Sequence, residues 1–474
     1  MRTARPYQEK IINDLRAAMR NHRRVLVCSP TGSGKTFLAT TIADGAARKG
    51  RRVIFIVHRS ELLDQTSAAF RDNGVDHGIV VAGKPTPDNH VLVAMEMTLA
   101  NRLGDINTPD ILFDDECHRA VSRTRMRIAE SWRDAWSIGL TATPCRTDGR
   151  GLRERYDTMV MGPSVHDMIA GGWLAEYDAY TPWTPDLSDV EPLDGDYPSD
   201  QIGTYMSRPT ITGSIIEHYQ RLGDGKRAIG FGASVTHSAM MAQAFRAAGV
   251  PAIHLDGVTP ANLRRQAIAD FRSGAVRVLF NWGLFVEGFD VPDAEVLIGA
   301  RPTSSLSVHL QMVGRILRPK ASGAHAIIID HAGNLARHGF PDDPRSWSLD
   351  GVIKRPAGEA LAPGQECPRC FAFHRPAPTC PRCGYVYPTA PTDAGPRTIG
   401  GELVRARRKR GEDPIAWAGG IDLAMARGRE WHALIAQAEG DIERLRMIMR
   451  ARGYKRGWAK HQQEAWFERN GGTA

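Results

Sequence analysis

The sequence predicts an α/β protein: two tandem doubly wound parallel-sheet domains, then a compact Cys₄ ribbon and a basic, mainly helical C-terminal tail. Three observations carry that prediction. Short β-branched runs alternate with longer helical patterns along residues 25–180 and again along 228–329. The runs are apolar throughout, as expected of parallel strands covered on both faces. Four of the seven cysteines fall into two identical Cys-Pro-Arg-Cys units. A chain of 474 residues has room for about three units of ordinary size. Apolar residues at 42% and charged residues at 24% make folding the default and exclude a disordered chain.

The first domain is expected over residues 1–182, with strand-like runs at 25–27, 53–57, 91–94 and 111–113. Residues 183–209 turn rich in Pro, Asp, Ser and Gly without sustained periodicity, which reads as a linker or insertion. The second domain, 210–345, repeats the pattern with runs at 228–231, 252–255, 276–280, 296–298 and 326–329. The ribbon falls within 360–390. The tail, 391–474, concentrates Arg405, Arg407, Arg408, Lys409 and Arg410, and carries Trp417, Trp431, Trp458 and Trp466.

A net charge of +8 and a pI near 9.2 favour a polyanionic partner, because each cation that meets a phosphate releases condensed counterions. Charge alone decides little and counts only where motifs agree. The first seven residues hold no secretory apolar segment, and no later run is long enough to span a bilayer. An intracellular, cytoplasmic protein without a membrane partner is therefore expected, in which paired cysteines bind metal rather than form disulfides.

Ser29-Pro30-Thr31-Gly32-Ser33-Gly34-Lys35-Thr36 follows an apolar strand and opens a helix, the context of a phosphate-binding loop. Its glycines let the backbone wrap an anion, Lys35 reaches the terminal phosphates of ATP, and the Thr36 hydroxyl is placed to ligate Mg²⁺. A chance glycine turn would not combine these features. After the run at 111–113 come Asp114, Asp115 and Glu116, carboxylates at the carboxyl edge of a sheet, where such folds bind ligands. Asp115 is expected to hold Mg²⁺ and Glu116 to orient the attacking water. Asp114 is open to a plainer reading as a solvated carboxylate.

At Asp115-Glu116-Cys117-His118 the chain resembles the DExH box of superfamily 2 helicases, whose motors are two RecA-like domains. Arg5-Pro6-Tyr7-Gln8 is similar to the family's adenine-reading motif, with Tyr7 and Gln8 at the base. The segment 58–65 resembles motif Ia, a contact to the nucleic-acid backbone. Leu140-Thr141-Ala142-Thr143-Pro144 resembles motif III, which couples hydrolysis to movement. The family tolerates Ser29 where the loop consensus has Gly. In the second half, 286–292 resembles motif V, with Gly288 and Asp290 carrying its role and Val286 standing where the family often has Thr. Gln311, Gly314, Arg315 and Arg318 match motif VI, which implies arginine fingers supplied to the γ-phosphate from the second lobe.

Cys367, Cys370, Cys380 and Cys383 form two knuckles nine residues apart, a pattern for one structural Zn²⁺ with four thiolates. A redox dithiol is the alternative. Arg369, His374 and Arg382 are candidates to face phosphate, and the 405–410 run is a phosphate contact, a solvated face or a nuclear signal. With the ribbon and the tail segment 453–461, the whole resembles the RadD-type DNA repair ATPases and related phage DNA helicases. That implies an ATP-dependent helicase or translocase acting on DNA rather than RNA in a bacterial or phage-infected cell, with room for a single-stranded-DNA-binding or repair protein as partner. A monomer would suffice. An RNA helicase and a non-catalytic nucleic-acid-binding module remain the alternatives.

Overall fold

The computed structural model describes residues 3–181, 185, 187, 189–193, 195–223, 225–286, 294–320, 322–352, 364–388, 429–439, 441–452, 454 and 457–470. Seven short strands build the first sheet: β1 (Arg24–Cys28), β2 (Val53–Val57), β3 (Gly78–Val80), β4 (Val91–Met95), β5 (Ile111–Asp115), β6 (Trp136–Thr141) and β7 (Thr158–Met161). Their order is β3-β4-β2-β5-β6-β1-β7, and every pairing is parallel. All five residues of β2 are buried because the sheet has a core on each face. Val53, Phe55 and Val57 point into one cluster, Ile54 and Ile56 into the other, as the two-residue period of a strand requires.

The second sheet contains β8 (Tyr177–Tyr180), β9 (Ala228–Gly232), β10 (Ala252–Leu255), β11 (Val278–Asn281), β12 (Val296–Ala300) and β13 (Ala326–Asp330). It runs β10-β11-β9-β12-β13-β8, again wholly parallel. The strand runs read from the sequence coincide with these elements to within a residue or two.

Two boundaries differ from the expectation. β8 falls inside the stretch assigned to the first domain, 1–182, yet it pairs with β13 of the second sheet. Its half-apolar composition carries no sign of which sheet it joins, because strand pairing is a long-range choice. The stretch 183–209, expected to be irregular, contains a helix at Ser199–Met206 whose Ile202 and Met206 are buried in the second lobe's core. Just before it, Asp196 accepts hydrogen bonds from Thr303 Oγ1 (2.7 Å) and Ser304 N (2.9 Å) and pairs with Arg301 (2.9 Å). The polar residues that suggested a linker are the ones that pin this segment.

The chain divides into two compact units, residues 1–389 and 390–474. In the second, helices Arg429–Gln437, Ile442–Arg452 and Trp458–Asn470 close over Leu434, Ala438, Leu445, Ile448 and Ala459. Trp458 packs against that core, and its ring lies tilted against that of Tyr454 with centroids 5.0 Å apart. The basic run 405–410 and Trp417 lie outside the described residues. No helix among the described residues is long and apolar enough to cross a membrane.

Candidate active site

β1 ends in the loop 29–34, and the helix Lys35–Ala47 begins directly after it. Gly32 (φ +87°) and Gly34 (φ +84°) are left-handed, a conformation that costs glycine least. Gly34 has a second reason to lack a side chain, since a Cβ there would lie 2.6 Å from Gln8 Nε2. The same Gln8 Nε2 donates to Ser33 O (3.0 Å), as does the Tyr7 hydroxyl (2.9 Å), while Gln8 Oε1 accepts from Arg5 N (3.0 Å). Gln8 thus buttresses the loop from behind while also lining the cavity in front of it. Lys35 Nζ donates to Ser29 O (3.1 Å) and Pro30 O (3.3 Å). Burial pulls the Lys35 pKa down, opposed by Glu116 and Asp115.

β5 delivers three consecutive acids, each with a different fate. Asp114 is 1% exposed, so it is not a solvated carboxylate. It pairs with Arg125 and accepts from the Tyr156 hydroxyl at 3.2 Å. Asp115 is pushed up to about 7 by burial and by the neighbouring Glu116 charge. Glu116 bends out of the strand at φ +49°, a positive value rare outside glycine. Burial raises its pKa, but His118, whose Nδ1 lies 3.4 Å away, together with Lys35 and Arg315, more than offsets that and holds it at about 2.

From the second lobe, the helix Leu306–Gly314 and the turn after it bring Arg315 and Arg318 to the same place. Arg315 Nη2 donates to Val286 O (2.9 Å), and burial lowers the Arg318 pKa to about 10. A cavity of about 410 Å³ is lined by Gln8, Thr31, Gly32, Gly34, Lys35, Thr36, Asp115 and Glu116 on one side and Arg315 and Arg318 on the other. Tyr7 and Ser33 do not line it. Gln311 is 2% exposed and does not line the cavity; its Nε2 has no hydrogen-bond partner among the described residues. Gly288 and Asp290 lie outside the described residues. The donor set suits Mg²⁺ and a polyphosphate: a threonine hydroxyl and a carboxylate for the ion, a lysine and two arginines for the anion.

The lobes meet through the segments that resemble motifs Ia and III. Thr143 Oγ1 hydrogen-bonds Ser307 Oγ (2.5 Å). Arg59 Nη2 donates to Gly283 O (3.0 Å), and Glu61 pairs with Arg264 (2.6 Å). Sequence reasoning missed Arg125, which is 1% exposed. Its Nε pairs with Glu96 (2.9 Å) and its Nη1 donates to Asp115 O (2.9 Å), so one guanidinium clamps the back of the acidic strand. The available signal was its register: Arg125 stands one turn from the buried Ile128 on the helix Arg123–Ser131.

In the ribbon the four Sγ atoms lie within 4.8 Å of one another, with Cys367 and Cys383 at 3.6 Å and Cys370 and Cys380 at 3.7 Å. A tetrahedron with metal–sulfur bonds of about 2.3 Å has edges of about 3.8 Å, so the set fits one metal ion. The knuckles mirror each other: Phe371 N donates to Cys367 O (2.8 Å) and Gly384 N to Cys380 O (3.0 Å), with both donors at positive φ. The phosphate-facing roles considered for the ribbon's basic residues meet other partners. His374 is 9% exposed and uses both ring nitrogens, on Arg375 O and the Tyr387 hydroxyl. Arg382 lies over the Tyr180 ring at 5.0 Å and near Asp178. Arg369 remains exposed, 3.5 Å from Cys383 O.

Residues 2–146 match the family described as the res subunit of type III restriction enzymes, and residues 212–320 match the helicase conserved C-terminal domain. The chain is 36% identical over 350 residues to a 51.5 kDa protein of a Lactococcus phage, covering 73% of this chain and 75% of that one. It is 29% identical to the putative ATP-dependent helicase IRC3 of Saccharomyces cerevisiae (69% of this chain) but spans only 51% of its length. It is 25% identical to the DNA 3'-5' translocase XPB2 of Sulfurisphaera tokodaii, over 69% of this chain and 81% of that one. Among solved structures it shares its fold with a putative HsdR subunit fragment of a type I restriction enzyme from Vibrio vulnificus, at TM-score 0.55 and 20% identity, over 72% of this chain and 68% of that one.

Proposed function

The chain belongs to the superfamily 2 helicases and is an ATP-hydrolysing enzyme of that family; from that premise we propose that it is a motor that couples hydrolysis to movement along DNA. One observation supports this reading above the others: Lys35, Thr36, Asp115 and Glu116 from one lobe share a cavity with Arg315 and Arg318 from the other. A site divided in this way links the chemistry to the distance between the lobes.

In this mechanism Thr36 and Asp115 would hold Mg²⁺, which would supply positive charge to offset that of the polyphosphate. Lys35 and the loop amides grip the same phosphates. Glu116, an acid held ionised by His118, orients water for in-line attack. Arg315 and Arg318 meet the charge that develops on the transferred group, an effect worth roughly 10³ to 10⁵ in rate among related NTPases. Thr143–Ser307, Arg59–Gly283 and Glu61–Arg264 make and break with cleft closure and convert it into a step. We assign Zn²⁺ to Cys367, Cys370, Cys380 and Cys383, where four thiolates leave no open coordination position and the role is structural.

DNA is preferred over RNA because a relative covering much of this chain is named a DNA translocase and because the acidic tetrad is Asp-Glu-Cys-His rather than Asp-Glu-Ala-Asp. The phage relative favours work in a bacterial or phage-infected cell. Steady-state ATP hydrolysis with single-stranded, duplex and forked DNA and with single-stranded RNA tests the proposal. Stimulation by DNA is expected; stronger stimulation by RNA makes it an RNA motor, and no stimulation by any of them removes the motor reading.

A further inference from the structure

The first sheet has two ends, and the nucleotide cavity uses only the carboxyl one. At the amino ends of β1, β5 and β6 lies a separate cavity of about 730 Å³. Its wall includes Arg155, a side chain that is 3% exposed. Arg155 Nη2 donates to Ser137 Oγ (2.5 Å) and its guanidinium lies over the Tyr156 ring at 5.0 Å. Among the described residues its buried Nε has no hydrogen-bond partner and no carboxylate pairs with it.

A buried cation without a counter-charge is costly, and interiors normally supply one, as Asp114 and Glu96 do for Arg125. Here the charge instead faces a cavity that also carries Arg133 on its exposed rim. Three acids share the wall. Asp157 is already paired with Arg24 (2.5 Å), while Glu130 and Glu154 are exposed at its edge. The interior group is therefore cationic and the acids sit outside it.

From this geometry we propose that the amino-edge cavity is a second anion site, one that takes a phosphate group on the Arg155 guanidinium. The fork of an arginine matches phosphate oxygens in pairs, and the volume admits more than a lone ion. The group comes either from a free phosphate compound or from a nucleic-acid backbone. The site also adjoins the catalytic strand, because Tyr156, the next residue, donates to Asp114 at 3.2 Å.

Pyrophosphate titrated calorimetrically into the full chain without Mg²⁺ tests the assignment. Two classes of site are expected. Lys35→Ala removes one and leaves the other, whereas Arg155→Gln weakens the other about tenfold or more, as loss of a charge-assisted pair should. Arg133→Glu, at the exposed rim, weakens it about threefold and decides the matter if Arg155→Gln does not fold. Displacement of this pyrophosphate by oligothymidylate identifies the source as a backbone; retention identifies a free phosphate compound. A single class of site abolished by Lys35→Ala, or binding unchanged by the folded arginine variants, overturns the proposal.

Discussion

Replacing Arg125 by Met tests whether the acidic strand is held from behind. The side chain is 1% exposed and serves Asp114, Glu96 and the Asp115 carbonyl together. Its loss leaves Asp114, itself 1% exposed, with the Tyr156 hydroxyl as its one side-chain partner among the described residues. Removing one partner of a buried pair costs about 3–5 kcal/mol, most of it the penalty of the stranded charge. Glu96 is less buried and adds little. Urea denaturation of the Arg125→Met protein should therefore show a loss of about 4 kcal/mol. Adding Asp114→Leu should return more than half of it, because an apolar pair of similar volume is close to neutral. Arg125 does not line the nucleotide cavity, so kcat should fall about tenfold or more with KM for ATP little changed, the pattern of lost transition-state positioning. A loss below about 1 kcal/mol, the size of an exposed pair, or a raised KM at unchanged kcat, would refute this reasoning.

Lys35→Ala and Glu116→Gln should each lower ATP turnover by roughly 10² to 10³ or more while DNA binding by gel shift stays within a few-fold; normal hydrolysis by either variant refutes the assignment. Elemental analysis should find one zinc per chain, and Cys370→Ser should lose it together with the ribbon's protease resistance, since such a metal contributes about 10–16 kcal/mol of folding energy; a metal-free, protease-resistant ribbon would count against the site. Burial pulls the His237 pKa down from 6.5 to about 4, and its Nδ1 accepts from Ala233 N (3.0 Å). Above 6.5 both states are neutral there and nothing changes. As pH falls from 6.5 to 4 only the unfolded chain gains the proton, so stability should fall by about 1.4 kcal/mol per unit from this group. His237→Asn, which keeps an acceptor, should flatten part of that slope, and His331 and His338, pulled down to about 3 and about 4, should keep the rest; an unchanged slope in the variant would refute the argument.

Which features were legible follows from the range of the forces involved. The parallel strands that could be read were those where burial on both faces leaves continuous apolar runs such as 53–57; β3, β6, β7 and β8 gave no such run. The phosphate loop and the acidic tetrad could be read because their chemistry fixes residue types at short spacing. Arg125 could not, since its meaning depends on a carboxylate eleven residues away that looked solvated. Nor could the helix Ser199–Met206, whose flanking Pro and Gly resembled a linker until Asp196 found Arg301 and Thr303 more than a hundred positions on. The ribbon arginines show the same limit: a cation is visible in sequence, but its anion is not. Gln8 divides the two cases, its place at the cavity having been expected and its hydrogen bond to Ser33 O not.

The crossover of β8 also matters for how the protein is made and divided. Residues 177–180 leave the ribosome long before β13, so the outer lane of the second sheet waits for its neighbour while some 145 residues are added. A second lobe cut out at residue 183 or 210 would lack that lane, leaving β13, all five of whose residues are buried here, as a bare apolar margin open to any other strand. A cut made ahead of residue 177 leaves the margin covered, and only that piece should remain dispersed.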